Sequence, residues 1–166
     1  TGREEWSFPT GGSIMHTQAV TDLDGDQVPE IVVGTCGSLF AIDSRGLQLW
    51  KADVAQRCLD FSSPAVGDLD GDGLREIVLG AANNTDQSDG ALLAFDHQGR
   101  EIWSLSQERV VYTSPSLADL DGDGTLEVCF GVHYTHYDCV DATGKRFVYE
   151  VRGKTRDRAP WPMLHA

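Results

Sequence analysis

The sequence predicts an all-β chain assembled from four-stranded antiparallel blades, and three observations carry that prediction. A nine-residue acidic pattern occurs three times, with its first Asp at 22, 68 and 119. Each copy is framed by the same succession of short apolar runs bounded by turn residues. No stretch shows the 3.6-residue apolar period of an amphipathic helix.

Taken in order, each repeat opens with a short strand A: Gln18-Ala-Val, Pro64-Ala-Val and Pro115-Ser-Leu. The acidic segment follows. Strand B comes next, as Glu-Ile-Val-Val-Gly, Glu-Ile-Val-Leu-Gly and Glu-Val-Cys-Phe-Gly. Strand C ends in Asp: Leu39 to Asp43, Leu92 to Asp96 and Tyr137 to Asp141. A glycine turn then leads into strand D, at Gly46 to Trp50, Gly99 to Trp103 and Gly144 to Val148. The N-terminal Gly2-Arg-Glu-Glu-Trp6 reads as a further copy of strand D. Four short strands in each ~45–50 residues describe a β-propeller blade. The expected organisation is a single partial propeller: strand D of a preceding blade in 1–10, blades in 11–53, 54–106 and 107–153, and a C-terminal tail in 154–166. The Trp residues of strand D are expected to pack between sheets as core. An open β-solenoid fits the period less well, because each unit holds four strands.

The 166 residues carry 26 Asp and Glu against 13 Lys and Arg, a formal charge of −13. That balance argues against nucleic acid or an anionic membrane surface as the main partner. An apolar content of 40% argues for a folded core. No apolar run reaches the ~20 residues of a membrane-spanning helix. The opening TGREEW reads as mid-domain sequence rather than a signal peptide.

The surplus acids are concentrated. Asp22, Asp24, Asp26 and Glu30 form one group; Asp68, Asp70, Asp72 and Glu76 a second; Asp119, Asp121, Asp123 and Glu127 a third. The three segments hold 12 of the 26 carboxylates, and the remaining chain is close to neutral. Carboxylates at alternating positions of a tight loop supply the 6–8 oxygen ligands that a hard divalent cation takes. Position seven, occupied by Val28, Leu74 and Thr125, would add a backbone carbonyl. With no Cys or His in the pattern, Ca²⁺ is favoured over transition metals, at three sites. An EF-hand is excluded twice. Position 12 holds Val33, Leu79 and Phe130 rather than a carboxylate, and a β-type run rather than a helix follows each loop.

The Asp-Leu-Asp-Gly-Asp-Gly-x-x-Glu-Ile-Val pattern preceded by Ser-Pro-Ala-Val-Gly resembles FG-GAP/VCBS repeats. The resemblance implies an integrin-α-like β-propeller with calcium in the loop between strands A and B, and it extends over nearly the whole chain. The first copy departs from it, with Gln27 in place of Gly and Pro29 before Glu30. The FG-GAP motif itself is poorly kept.

Three blades and a stray strand do not close a ring of ~4–8 blades. The missing blades are expected from the rest of a longer chain or from other copies in an oligomeric assembly, including a two-copy ring or a filament. Pro160-Trp-Pro-Met-Leu-His165 resembles the segment that follows the last blade in bacterial-type members.

Four cysteines suit an oxidising compartment. Blade geometry favours Cys36–Cys58. Cys129 and Cys139 face each other across a hairpin, either as a disulfide or as two buried thiols. Asn83-Asn-Thr85 is a glycosylation sequon in a polar loop, although chance produces such triplets too. His133 and His136, with His16, read as surface histidines before any metal site. The six bases between Lys145 and Arg158 read as a solvated face before a dock for an acidic partner.

No nucleophile–base pattern or phosphate loop is visible. The expected function is a calcium-binding module for protein or polysaccharide binding, adhesion or assembly, placed extracellularly, at the cell surface or in the periplasm. The alternatives are part of a calcium-dependent polysaccharide lyase-type propeller enzyme and a structural subunit of a filament or ring.

Overall fold

The apolar runs that follow the acidic segments become the central strands of three blades. The computed structural model describes residues 2–83, 89–132, 136–141 and 143–144. The first blade contains β1 (Ala19–Thr21), β2 (Glu30–Ile42) and β3 (Gln48–Cys58). The second contains β4 (Ala65–Gly67), β5 (Glu76–Asn83), β6 (Gly90–Phe95) and β7 (Glu101–Gln107). The third contains β8 (Ser116–Ala118), β9 (Glu127–Val132) and β10 (His136–Val140). Every pairing is antiparallel, and no helix occurs among the described residues.

In the first blade, strands B and C form one 13-residue run, β2. The run nevertheless turns back on itself. Thr35 Oγ1 donates to the Ser38 carbonyl at 3.2 Å, whereas an extended chain would separate those residues by roughly 10 Å. Gly37 supplies the bend at φ +92°, in the left-handed region that favours glycine. Val33 and Phe40 consequently meet in one buried cluster. The first blade therefore has four strand segments, as the second does.

The first two blades join into a seven-stranded sheet of order β1-β2-β3-β5-β6-β7, with β4 on β5. The join is short: Arg57 pairs with Asn83 and Cys58 with Ala82. The third blade is a separate sheet of order β10-β9-β8. Neither sheet closes. The architecture is all-β, with propeller-type blades that do not form a complete ring.

The core lies between blades. One cluster joins Val32, Leu39 and Ala41 of the first blade to Ile77, Leu79, Leu93 and Phe95 of the second. Another joins Val78, Leu92 and Ala94 of the second blade to Val128, Phe130 and Val140 of the third. Alternate residues of β5 and β6 thus enter opposite clusters, and β6 is buried along its whole length. A strand covered on both faces reads as a continuous apolar run. Leu92, Leu93 and Phe95 of this strand each contribute roughly 1.5–3 kcal/mol by their burial.

Three sequence expectations need correction. Residues 2–10 form no strand. A strand D pairs with strand C of its own blade, and no such strand is present for it among the described residues. The segment still lies on the first blade, where Phe8 meets Phe40 edge to face at a centroid distance of 5.6 Å. Second, β3 runs to Cys58, past the blade limit at residue 53, because Trp50, Ala52 and Val54 continue the alternation into the junction with the second blade. Third, the Trp residues pack between blades as expected, Trp50 and Trp103 against the inter-blade clusters, but at the rim rather than in the centre. Trp6 is 37% exposed, and Trp50 and Trp103 are half-buried. Each lies against the turn glycine of the following blade: Trp6 on Gly46, Trp50 on Gly99, Trp103 on Gly144. Trp6 Nε1 donates to the Ser44 carbonyl at 3.2 Å and Trp50 Nε1 to the His97 carbonyl at 2.9 Å. The indole reaches an apolar surface and a polar partner together at the rim.

The expected strand D of the third blade, the sequon, the His133–His136 group, the basic segment from Lys145 and the tail 154–166 lie wholly or partly outside the described residues. No helix long and apolar enough to cross a membrane occurs among the described residues.

Candidate metal centres

Each acidic segment links a three-residue strand A to strand B, so its two ends are held by the ladder. Thr21 pairs with Glu30, Gly67 with Glu76 and Ala118 with Glu127. The three loops then repeat one hydrogen-bond pattern. In the first, Asp22 accepts the N–H groups of Gly25 (2.8 Å) and Gln27 (2.9 Å), one on each carboxylate oxygen. Asp24 accepts from Asp26 N–H and Asp26 from Val28 N–H. Asp68, Asp70 and Asp72 do the same for Gly71, Gly73, Asp72 and Leu74. Asp119, Asp121 and Asp123 repeat the pattern with Gly122, Gly124, Asp123 and Thr125. These carboxylates wind the backbone into a tight coil, as Asp does in turns.

The glutamates close the coils. Glu30, Glu76 and Glu127 are all buried. One oxygen of each accepts the N–H of the Leu that follows the first Asp, at 2.8, 2.7 and 2.6 Å for Leu23, Leu69 and Leu120. Burial first, and then the like charges of the neighbouring aspartates, push the carboxyl groups of Glu30 and Glu76 above the usual range; the Leu N–H opposes this.

Not all expected ligands converge equally. Oxygens of Asp22, Asp24 and Glu30 lie within 4.8 Å of one another, as do those of Asp68, Asp70 and Glu76, and of Asp119, Asp121 and Glu127. Positions one, three and nine therefore form the tight group. Asp26, Asp72 and Asp123 at position five stand outside it, each with an oxygen engaged by the N–H of position seven. Thr125 adds its hydroxyl to Asp123 at 2.7 Å, which holds that carboxyl below the usual range. The donor set fits a hard divalent cation: it is all oxygen, it is charged, and it contains a buried glutamate kept among like charges with no ion-pair partner among the described residues.

Both expected disulfides are formed, Cys36–Cys58 and Cys129–Cys139. Each joins residues directly opposite in a ladder. A fourth cluster of metal-ligand residue types contains Cys36, Cys58 and Asp60, but the disulfide leaves no thiolate there to ligate.

The second copy of the coil coincides with the start of a recognisable family segment. Residues 68–130 match the FG-GAP-like repeat. Its span begins at Asp68 and ends in β9, so it includes the whole second and third coils. No curated protein matches the chain. Among solved structures, it is similar to the Vibrio cholerae biofilm matrix protein Bap1, with 21% identity and a TM-score of 0.41 over 87% of this chain and 30% of that one. It is also similar to the exotype rhamnogalacturonan lyase YesX, with 17% identity and a TM-score of 0.42 over 78% of this chain and 39% of that one. The chain thus spans well under half the length of either protein.

Two groups around the repeat carry weight that the sequence reading did not assign. Leu23 and Leu69 are 2% and 1% exposed and anchor their coils in the junction with the next blade. Their position directly after the first Asp, in an otherwise polar segment, is the available signal. Arg75 of the second coil reaches back to the first: its Nε donates to the Asp22 carbonyl at 3.0 Å.

Proposed function

We propose that the chain is a calcium-binding β-propeller module that serves protein or polysaccharide binding, adhesion or assembly outside the cytoplasm. The observation that carries this reading is the threefold repetition of one coil, in which a buried glutamate and two aspartates converge, none of them in an ion pair among the described residues. The FG-GAP-like repeat over two of the three coils supports it. The ligands would be Asp22, Asp24, Asp26, Glu30 and the Val28 carbonyl; Asp68, Asp70, Asp72, Glu76 and the Leu74 carbonyl; and Asp119, Asp121, Asp123, Glu127 and the Thr125 carbonyl. Bound Ca²⁺ would offset the carboxylate repulsion and hold strand A to strand B in each blade. Two disulfides favour an oxidising extracellular or periplasmic setting, where millimolar calcium would keep such sites filled. The uncovered faces of the end blades would be completed by the rest of a longer chain or by further copies.

Thermal melts in calcium and in EDTA test the reading. A ligand at a hundredfold excess over its Kd stabilises a site by about 2.7 kcal/mol, and ~1 kcal/mol corresponds to about 2–4 °C for a domain of 150–250 residues. Three such sites together would supply about 8 kcal/mol, so chelation is expected to lower Tm by roughly 15–30 °C, reversed by excess calcium. Equal melts in calcium and EDTA would refute calcium binding.

A further inference from the structure

The first two coils touch, and the contact is made by a residue embedded in the second. Arg75 stands at position eight of that coil, between Leu74 and Glu76. Its Nε donates to the Asp22 carbonyl at 3.0 Å, and its backbone N–H donates to the Leu23 carbonyl at 3.2 Å. Both acceptors lie where the first coil begins. The Asp22 carboxylate organises Gly25 and Gln27, and the Leu23 N–H is bound by Glu30. The third coil has no such arm. Its position eight is Leu126, which packs among the apolar residues between the second and third blades.

We infer that Arg75 is a positioning residue that couples cation binding in the first two coils and leaves the third independent. The inference rests on the calcium reading above. A cation in the second coil is held by the residues on either side of Arg75, so binding there fixes the Arg75 backbone and limits the exposed side chain. The Asp22–Leu23 end of the first coil then meets an ordered donor, and less conformational freedom remains to be lost when the first cation binds. The guanidinium sits on a main-chain carbonyl and leaves the Asp22 carboxylate free, so it does not compete with the cation for that ligand. Repulsion between the two cations opposes the effect but is screened at these exposed coils. By linkage, the first coil raises the affinity of the second by the same factor.

Calcium titration calorimetry on coil-specific variants of the whole chain tests this. With the third coil disabled by Asp121→Ala, disabling the second by Asp70→Ala is expected to weaken the first about fivefold, at the lower end of typical coupling. Arg75→Leu, which copies the third coil, is expected to cause the same loss with the second coil intact. In that background Asp70→Ala adds nothing further, and Arg75→Lys recovers part of the loss. The third coil, measured with Asp24→Ala and Asp70→Ala, keeps its affinity when Arg75→Leu is added. A first coil indifferent to both Asp70→Ala and Arg75→Leu would overturn the coupling while calcium binding stood. Absence of any calcium binding by the wild type would overturn the underlying reading as well.

Discussion

The two ends of a blade both gather carboxylates around backbone N–H groups, but only one end pairs them with arginine. At the turn between strands C and D, Asp43 accepts the N–H groups of Leu47 (2.8 Å) and Arg45 (2.9 Å) and pairs with the Arg45 guanidinium. These donors, the Leu47 N–H foremost, hold the Asp43 carboxyl below its usual range against a smaller opposing effect of desolvation. At Asp96 burial pushes upward, but the N–H and guanidinium of Arg100 and the N–H of Gln98 outweigh it, and the net direction is again down. At the coil between strands A and B, aspartates also gather N–H groups, yet Glu30 and Glu76 are pushed up. One carboxylate with several donors and an arginine makes a self-sufficient turn. Four carboxylates in nine residues make a turn that, among the described residues, has no ion pair to offset its negative charge.

The largest test of the comparison is steric. Gly99 has φ +77° and lies under the Trp50 ring; a Cβ there would be 2.5 Å from Trp50 Cε3. Gly122, in the third coil, has a nearly identical φ of +79° with nothing within 4 Å of its Cβ position. Gly99→Ala should therefore cost backbone strain and displacement of the indole together, about 2–4 kcal/mol. Gly122→Ala should cost the strain alone, about 1 kcal/mol. Urea unfolding of both variants in EDTA isolates the contribution of the inter-blade Trp contact. Equal losses would show that the contact contributes nothing.

A smaller effect separates the two ends by pH. The folded-state pKa of Asp96 is lowered, so its stabilisation is present above the unfolded value near 3.8 and is lost as pH falls through the folded value. Asp96→Asn keeps an acceptor for the Gln98 and Arg100 N–H groups and loses the charge facing Arg100. The stability gap between wild type and variant should be about 1 kcal/mol at pH 7, because the Arg100 partner is exposed, and should narrow as pH falls below 3.8. A gap that stays constant as pH falls through and well below 3.8 would assign the role of Asp96 to shape rather than charge.

What the sequence revealed about these regions follows the range of the interactions. The coils were legible because the N–H to carboxylate bonds that wind them fall within nine residues, so the spacing of carboxylates contains that geometry. The Cys129–Cys139 pair was accessible for a similar reason, since a hairpin register is local. The N-terminal segment was misread as a strand because strand formation depends on a partner, and Gly2 to Trp6 resembles strand D regardless of what lies beside it. The role of Trp50 was hidden because its partner, the His97 turn, is 47 residues away. The repeated order of a Trp followed in the next blade by Asp-x-x-Gly is a usable signal, but only after the blades are known to be neighbours. Arg75 and Asp22 are 53 residues apart, and nothing local distinguishes that arginine from a solvated one.

The smallest expected effect concerns the one coil that departs from the pattern. Gln27 adopts φ +71° where the second and third coils place Gly73 at +89° and Gly124 at +91°. Its N–H is still delivered to the Asp22 carboxylate at 2.9 Å, so the coil keeps its hydrogen bond while a non-glycine residue occupies the left-handed region. That conformation costs about 1–2 kcal/mol for an ordinary side chain. Replacing Gln27 by Gly removes this strain but adds freedom to the unfolded chain worth about 0.5–1 kcal/mol. The net gain for Gln27→Gly should be about 0.5 kcal/mol, read as a rise in the urea midpoint without a change in slope. Glycine at the matching sites of the other coils makes the sign of the change a direct test. A loss of stability would mean that the Gln27 side chain makes a compensating contribution to the first coil.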